Sequence, residues 1–483
     1  MPFRVRSAGQ YRLVFAVVFA AQLLAVWLPP YNALTDYPIH IVRAYILASY
    51  NASPYFHRLF EEAMIPNPNM AIDYLATPLV PLLGMIVAGK VFLSLLVVVF
   101  DAGCHFLGRA IQGSLVWSSP ICALLVFHGA YQYGFVNYCF SIGWMMLCLA
   151  FWLRRRDAWS FSSLLVFAIL VTVLFVSHLA GFGAALIVVG VSWLWEIAEK
   201  RKLSKRTPLE AAVFIPSAAI WLSLPRTHSV TLHPGLIELT TPAEKAAAAF
   251  TLFRSGNMMI DVPLLLLVLA VMLLALRYRS VHEKTALRGG LALCVLFLII
   301  PKRFLVSASG DDVRLIIPGL LLCLLSLRLP ATKLANVVGL FLAALLCVRL
   351  GYQVEIFRRA SRVTESVVQL VDRIPSGVEF WMFCEERRML RQSRHAGDYG
   401  LARSGAIASN YIGEPHAQPV WFRQPLRGAP EYSSQLTDDL VRRGMNRRSF
   451  AILCGFEGSR ERFLGRYAAQ VSAAGPCSLW QAR

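Results

Sequence analysis

The chain has 483 residues, 57% hydrophobic and 16% charged, with a mean hydropathy of +0.56. A soluble globular domain does not carry that much apolar surface, so the composition excludes one and describes a chain that crosses a bilayer many times. The net charge of +19 comes from short basic clusters between apolar runs, which excludes a nucleic-acid binder and fits Lys- and Arg-rich cytoplasmic loops.

Arg4, Arg6 and Arg12 precede the first apolar run, which ends at Leu28-Pro29-Pro30 without a small-residue cleavage site. It reads as an uncleaved first span with the N-terminus inside. The following stretch, 29–88, is expected outside. Within it IVRAYILASYN and PYFHRLFEEAM have apolar residues at helical spacing with charges opposite, so they are expected as helices lying flat in the interface. IPNPNMAIDYLATPLVPLLG carries Pro66, Pro68, Pro78 and Pro81 and is expected as irregular backbone with a partial return into the bilayer.

Further along, a second span at about 89–107 ends at Arg109, a fourth at Arg154-Arg155-Arg156, a sixth in EKRKLSKR and an eighth at RYRSVHEKTALR. Alternate connections are thus basic, as inside loops are. The count reaches about eleven spans, the last ending near Arg349, and leaves the C-terminal region outside. Between spans three and four, AYQYGFVNY reads as a tight turn with interface aromatics, in which Tyr131, Tyr133 and Asn137 are also sugar-binding candidates. SHLAGFGAAL reads as a small-residue packing seam, with His178 at its start. THSVTLHPGLIELTTPAEKAAAAFTLFRSG is long enough for a second amphipathic cover.

One loop breaks the charge rule: PKRFLVSASGDDVRLIIPG places Lys302, Arg303, Asp311 and Arg314 on the side that should be poor in positive charge. Either a few outside cations are tolerated or the count is wrong by one span, or the cations hold a ligand, for which a phosphate is the natural choice. From about Tyr352 hydropathy falls and an α/β pattern begins. VEFWMFC, SFAILCGF and CSLWQAR read as strands and LTDDLVRRGM as a helix. The expected organisation is a transmembrane domain, 1–351, and a small extracytoplasmic α/β domain, 352–483. The C-terminal polar residues His395, Asp398 and His416 read as solvated.

Of the ten cysteines, Cys384, Cys454 and Cys477 lie in that region; one disulfide is expected there if it is extracytoplasmic, with the pair undetermined. No HExxH or HxxxH spacing calls for zinc, and no cofactor is indicated, although a divalent cation held by carboxylates stays open. His40, His57, His128, His178, His228 and His233 all fall at outer span ends, together with Asp36, Asp73, Arg254, Asp261 and Asp312. One such histidine is usually a packing residue. Gathered with acids and Arg at one depth, they point to a polar site on the outer face.

This layout resembles the GT-C superfamily of integral membrane glycosyltransferases, and in residues the likeness rests on TDYPIHIVR, whose Asp36 follows the first span. The resemblance implies a polytopic α-helical enzyme of the bacterial inner membrane that takes a sugar from a polyprenyl-phosphate donor to an acceptor hydroxyl. In that role Asp36 matches the first-loop acid, a general base or orienting group, and Lys302, Arg303 and Arg314 match cations that hold the donor phosphate. Tyr37 stands where several members have a second acid. His40 and Arg43, each one helical turn further on, would contact the substrate or brace the loop, Arg43 by pairing with an acid. A single carboxylate acting through the acceptor implies inversion. A transporter of a lipid-linked saccharide is the competing reading, but repeats or matched broken spans, its usual signature, are not visible.

Overall fold

The computed structural model describes residues 8–62, 66–202, 204, 206–224, 240–277, 284–301, 312–327, 333–384, 391–408, 419–423, 450–455 and 464–483. Helices Ala8–Trp27, Met85–Gln112, Val136–Arg155 and Leu179–Lys200, and the stretch Val337–Val371 of the long helix Lys333–Val371, are long and apolar enough to cross a membrane. Phe161–Ser177, Val313–Ser326 and the stretch Met258–Leu273 of helix Met258–Arg277 are shorter apolar helical segments beside them. Leu13, Phe161, Ile169, Leu273, Leu298 and Phe341 are exposed on helix surfaces, which suits a lipid surround. Phe92, Phe100, Phe127 and Trp152 fill the interior. The chain is an integral membrane protein.

Two of the expected spans take another form. The third is a six-residue helix, Ser118–Ala123, followed by turns, too short at about 1.5 Å per residue to cross alone. The seventh, expected at about 211–224, breaks into Thr207–Ala212 and Ile215–Ser223, each with a Pro in its first turn, where the ring is tolerated but the preceding backbone cannot continue as helix.

Basic connections gather at one end of the bundle. There Arg206 pairs with Asp157 and Glu196, Arg288 with Glu199 at 3.5 Å, and Arg156 Nη1 donates to Thr285 at 3.1 Å. The opposite end carries the 29–88 stretch. The helix Tyr37–Ser49 does not lie open on an interface as its periodicity suggests. Ile39, Ile41, Val42, Ala44 and Ile46 are all buried, because it is covered on one side by helix Ala71–Ala76 and on another by the C-terminal segment Ala396–Arg403. The proline-rich segment after it is broken as expected, into Ala71–Ala76, a 3-10 turn Thr77–Leu79 and Val80–Leu83.

PYFHRLFEEAM is the other departure. It is helical only over Pro54–Leu59, then becomes strand β1, Phe60–Glu62. Glu379–Cys384 (β2), Ile407–Ala408 (β3), Val420–Phe422 (β4), Phe450–Cys454 (β5), Ala468–Ala474 (β6) and Cys477–Ala482 (β7) follow. β1 pairs antiparallel with β4, Phe60 opposite Phe422 with ring centroids 4.6 Å apart, and so fastens the first loop to the C-terminal region. The remaining strands form one sheet in the order β3-β2-β5-β7-β6, parallel from β3 through β5 and antiparallel from β5 through β6. Val363, Val367 and Leu370 of the long helix pack under this sheet, so that helix runs unbroken past residue 352 and joins the two parts of the chain. Cys454 and Cys477 are disulfide-bonded across β5 and β7, and Cys384 is a free thiol. The segment LTDDLVRRGM lies outside the described residues.

Candidate functional site

Asp36 is the N-cap residue of Tyr37–Ser49, with Pro38 in the first turn to preset the helical backbone. Its side chain makes no capping hydrogen bond, so the carboxylate turns outward and is 30% exposed. What fixes it is backbone. Asp36 N–H donates to the Tyr133 carbonyl at 3.0 Å and Thr35 N–H to the Gln132 carbonyl at 3.2 Å. Gly134 sits between, at φ +84°, where a Cβ would come within 2.6 Å of the backbone nitrogens of Asp36 and Tyr37. Only glycine allows both that conformation and that approach.

The same turn carries aromatic rings and cations. Tyr133 and Phe135 stack with centroids 5.8 Å apart and planes at 20°. The Arg254 guanidinium lies 5.8 Å from the Tyr133 ring and donates to its hydroxyl at 3.3 Å, while the Arg314 guanidinium lies 5.5 Å from the Phe135 ring. Two delocalised cations are thereby aligned on the turn that holds Asp36. Beneath them Arg349, fully buried, donates to the carbonyls of Phe127, Phe253 and Leu124, and Gln132 donates to the Arg254 carbonyl at 2.8 Å. These bonds tie the turn to the Arg254 segment.

The other residues marked in the sequence divide between bracing and facing the site. Arg43 makes a fully buried two-pronged pair with Asp73, both contacts 2.6 Å, and approaches His40 Nδ1 at 3.2 Å. Asn137 is buried, accepting from Ile72 N–H at 2.8 Å and donating to the Asn69 carbonyl at 2.7 Å. Tyr131 is packed between Phe127 and Phe357. His178 caps Leu179–Lys200, its Nδ1 accepting from Ala180 N–H at 3.0 Å, while Arg314 and His40 lie near enough to act on it electrostatically. His40 is half-buried, and that loss of water, with the Arg43 cation and His395 nearby, holds its imidazole well below the usual range. Asp312 pairs with Lys245 at 2.7 Å and accepts from Val313 N–H, which fixes the helix start from which Arg314 projects. Lys302, Arg303, Asp311 and His416 lie outside the described residues.

Two residues read as solvated are not. His395 and Asp398 are 1% and 0% exposed, because the turn Ala396–Asp398 docks on Tyr37–Ser49. His395 Nδ1 is 3.3 Å from Asp398 Oδ2, and its Nε2 is 3.8 Å from Asp36 Oδ1. Burial raises the Asp398 carboxyl above the usual range, with the His395 hydrogen bond and charge acting against that rise. Arg254, expected only as one of several outer-face polar residues, is brought onto the Tyr133 ring. Among the described residues no three His, Cys, Asp or Glu side chains cluster as metal ligands do.

No protein-family model matches the chain, and no curated protein does. Solved structures do: the crystal structure of ArnT from Cupriavidus metallidurans bound to undecaprenyl phosphate superposes with TM-score 0.57 at 12% identity, covering 98% of each chain. The same protein in the apo state gives 0.56 at 12% identity, over 98% of this chain and 97% of that one. The fold is that of ArnT. The superposition covers 98% of each chain, so the likeness is one of the whole fold.

Proposed function

We propose that this protein is a glycosyltransferase of the bacterial inner membrane that moves a sugar from a polyprenyl-phosphate donor to an acceptor hydroxyl at the outer face. One observation carries the reading: a carboxylate, Asp36, and two aromatic-backed guanidinium groups, Arg254 and Arg314, are built on one turn of a fold shared with a protein crystallised on undecaprenyl phosphate. The outer placement is supported by the basic connections at the far end and by the Cys454–Cys477 disulfide, a bond that persists in oxidising compartments.

The chemistry follows from those groups. As the anomeric carbon–oxygen bond breaks, negative charge grows on the departing phosphate. Arg254 and Arg314, with Lys302 and Arg303, hold that phosphate, and fixed cations stabilise it more as its charge develops. The acceptor hydroxyl loses its proton to Asp36 while attacking from the opposite face, so the configuration inverts; proton transfer of this kind is typically worth about 10²- to 10⁴-fold. Tyr133 offers a ring face to the sugar, and His40 and His178 line the approach. Asn137 holds the backbone of Asn69 and Ile72, and Arg43 ties the loop helix to Asp73.

Purified protein in nanodiscs with undecaprenyl-phosphate-linked glucose, mannose or arabinose and a membrane extract as acceptor source tests the reading. The expected result is release of undecaprenyl phosphate by the wild type and at least a hundredfold loss in Asp36→Asn. Movement of the lipid-linked sugar between leaflets without release identifies a transporter instead.

A further inference from the structure

We infer that the C-terminal region completes the site: His395, beside the buried Asp398, is a positioning residue that keeps Asp36 ionised between turnovers by taking its proton. This rests on the glycosyl-transfer reading and adds to it a second proton carrier.

The argument is geometric. Asp398, His395 and Asp36 form a line, with 3.3 Å from Asp398 Oδ2 to Nδ1 and 3.8 Å from Nε2 to Asp36 Oδ1. An acid 3.3 Å from Nδ1 favours the tautomer with its proton on that nitrogen, which places Nε2 toward Asp36. The gradient of exposure runs the same way, 0% at Asp398, 1% at His395 and 30% at Asp36, so only the last meets a substrate. A histidine needed only for packing would not bring a second buried acid with it, since an interior carboxylate without a partner is costly.

Among the described residues, Asp36 and His40 act on His395 from the start of the helix Tyr37–Ser49, with Arg43 behind His40 and Tyr37 beside Tyr399. Asp398 and Tyr399 come from its own segment, Arg394 precedes it in the chain, and the Tyr31 ring packs on Tyr399 at 5.4 Å. On the long helix Thr364 bonds Ser393 at 3.2 Å; Glu365 of that helix, Asp372 just after it and Arg403 of Tyr399–Arg403 act by charge on Tyr31.

The proton balance is simple. The acceptor oxygen bonds to the anomeric carbon, the bond from that carbon to the phosphate oxygen breaks with its electron pair leaving on phosphate, and the acceptor proton passes to Asp36. It then moves to His395 Nε2, directly after a small side-chain shift or through one water. The imidazolium charge opposes the effect of burial on Asp398 and favours its ionised form, Asp36 is again a carboxylate, and the proton is later lost to solvent.

The test is the pH dependence of kcat and the donor KM for full-length wild type, His395→Gln, Asp398→Asn and Asp36→Asn, measured as undecaprenyl phosphate release. Both His395→Gln and Asp398→Asn are expected to lower kcat about tenfold or more, leave KM within about twofold, and move the acid limb of kcat at least about one pH unit lower. Asp398→Asn keeps the size of the side chain and decides the matter if His395→Gln fails to fold. Wild-type kcat and pH profile in either folded variant, with Asp36→Asn inactive, overturns the relay alone. A wild type that releases nothing overturns the glycosyl-transfer reading and the relay with it.

Discussion

At the scale of single residues, the strongest commitment in the fold is the Arg43–Asp73 pair. Both groups are removed from water, so each holds the other's desolvation cost, and removing one leaves a bare buried charge. Arg43→Met is expected to destabilise by about 3 to 5 kcal/mol, and Arg43→Met with Asp73→Leu to recover most of that, as read by thermal unfolding in detergent. A double variant no more stable than the single would contradict the account. His40 gives a pH signature. Its folded imidazole titrates below its ordinary value of 6.5, so near pH 6 the unfolded chain binds a proton that the folded one does not. Its contribution is therefore present above about 6.5 and lost as pH falls below it, by up to about 1.4 kcal/mol per pH unit. His40→Gln should flatten the slope of unfolding temperature between about pH 6.5 and 5; an unchanged slope rules out this cause.

Among the elements, the turn at Gly134 and the β1–β4 pairing hold the loop. Gly134→Ala would push a methyl group into the backbone of Asp36 and Tyr37 at a positive φ. The protein should still fold, with transfer reduced at least tenfold because the Asp36 backbone moves; an unaltered rate would show that this contact does not position the acid. The sequence disclosed some of these elements and hid others, for physical reasons. The broken backbone around Pro78 and Pro81 and the buried strands VEFWMFC and SFAILCGF were legible because proline geometry and apolar runs act locally. FEE of PYFHRLFEEAM was not, since its strand partner β4 lies far along the chain and the local period fits a helix. His395 was hidden for the same reason. Its neighbours in EERRMLRQSRH are charged, which reads as solvated, and its burial comes from docking against a helix near the other terminus. An acid three residues after a histidine, followed by the apolar YGLA, was the only signal available.

For the whole molecule, the charge pattern between apolar runs gave a bundle with its basic connections at one end and its polar loops at the other, and the structure has that polarity. The arrangement of spans three and seven could not be read from hydropathy, which scores apolar length and is blind to a six-residue buried helix. If the site end is extracytoplasmic, a membrane-impermeant maleimide should label Arg423→Cys in intact cells and Lys202→Cys only after permeabilisation; the reverse pattern would invert the topology. Reduction of Cys454–Cys477, which closes a loop across β5 and β7, should lower the stability of the C-terminal sheet by about 3 kcal/mol, seen as earlier proteolysis of that region. The account as a whole turns on where a lipid phosphate binds, and an experimental structure of the protein with undecaprenyl phosphate measures that directly. The account predicts phosphate density within hydrogen-bond reach of Arg254 or Arg314, on the side that faces Asp36. Phosphate bound instead among Arg154, Arg156 and Arg206 at the opposite end of the bundle would contradict it.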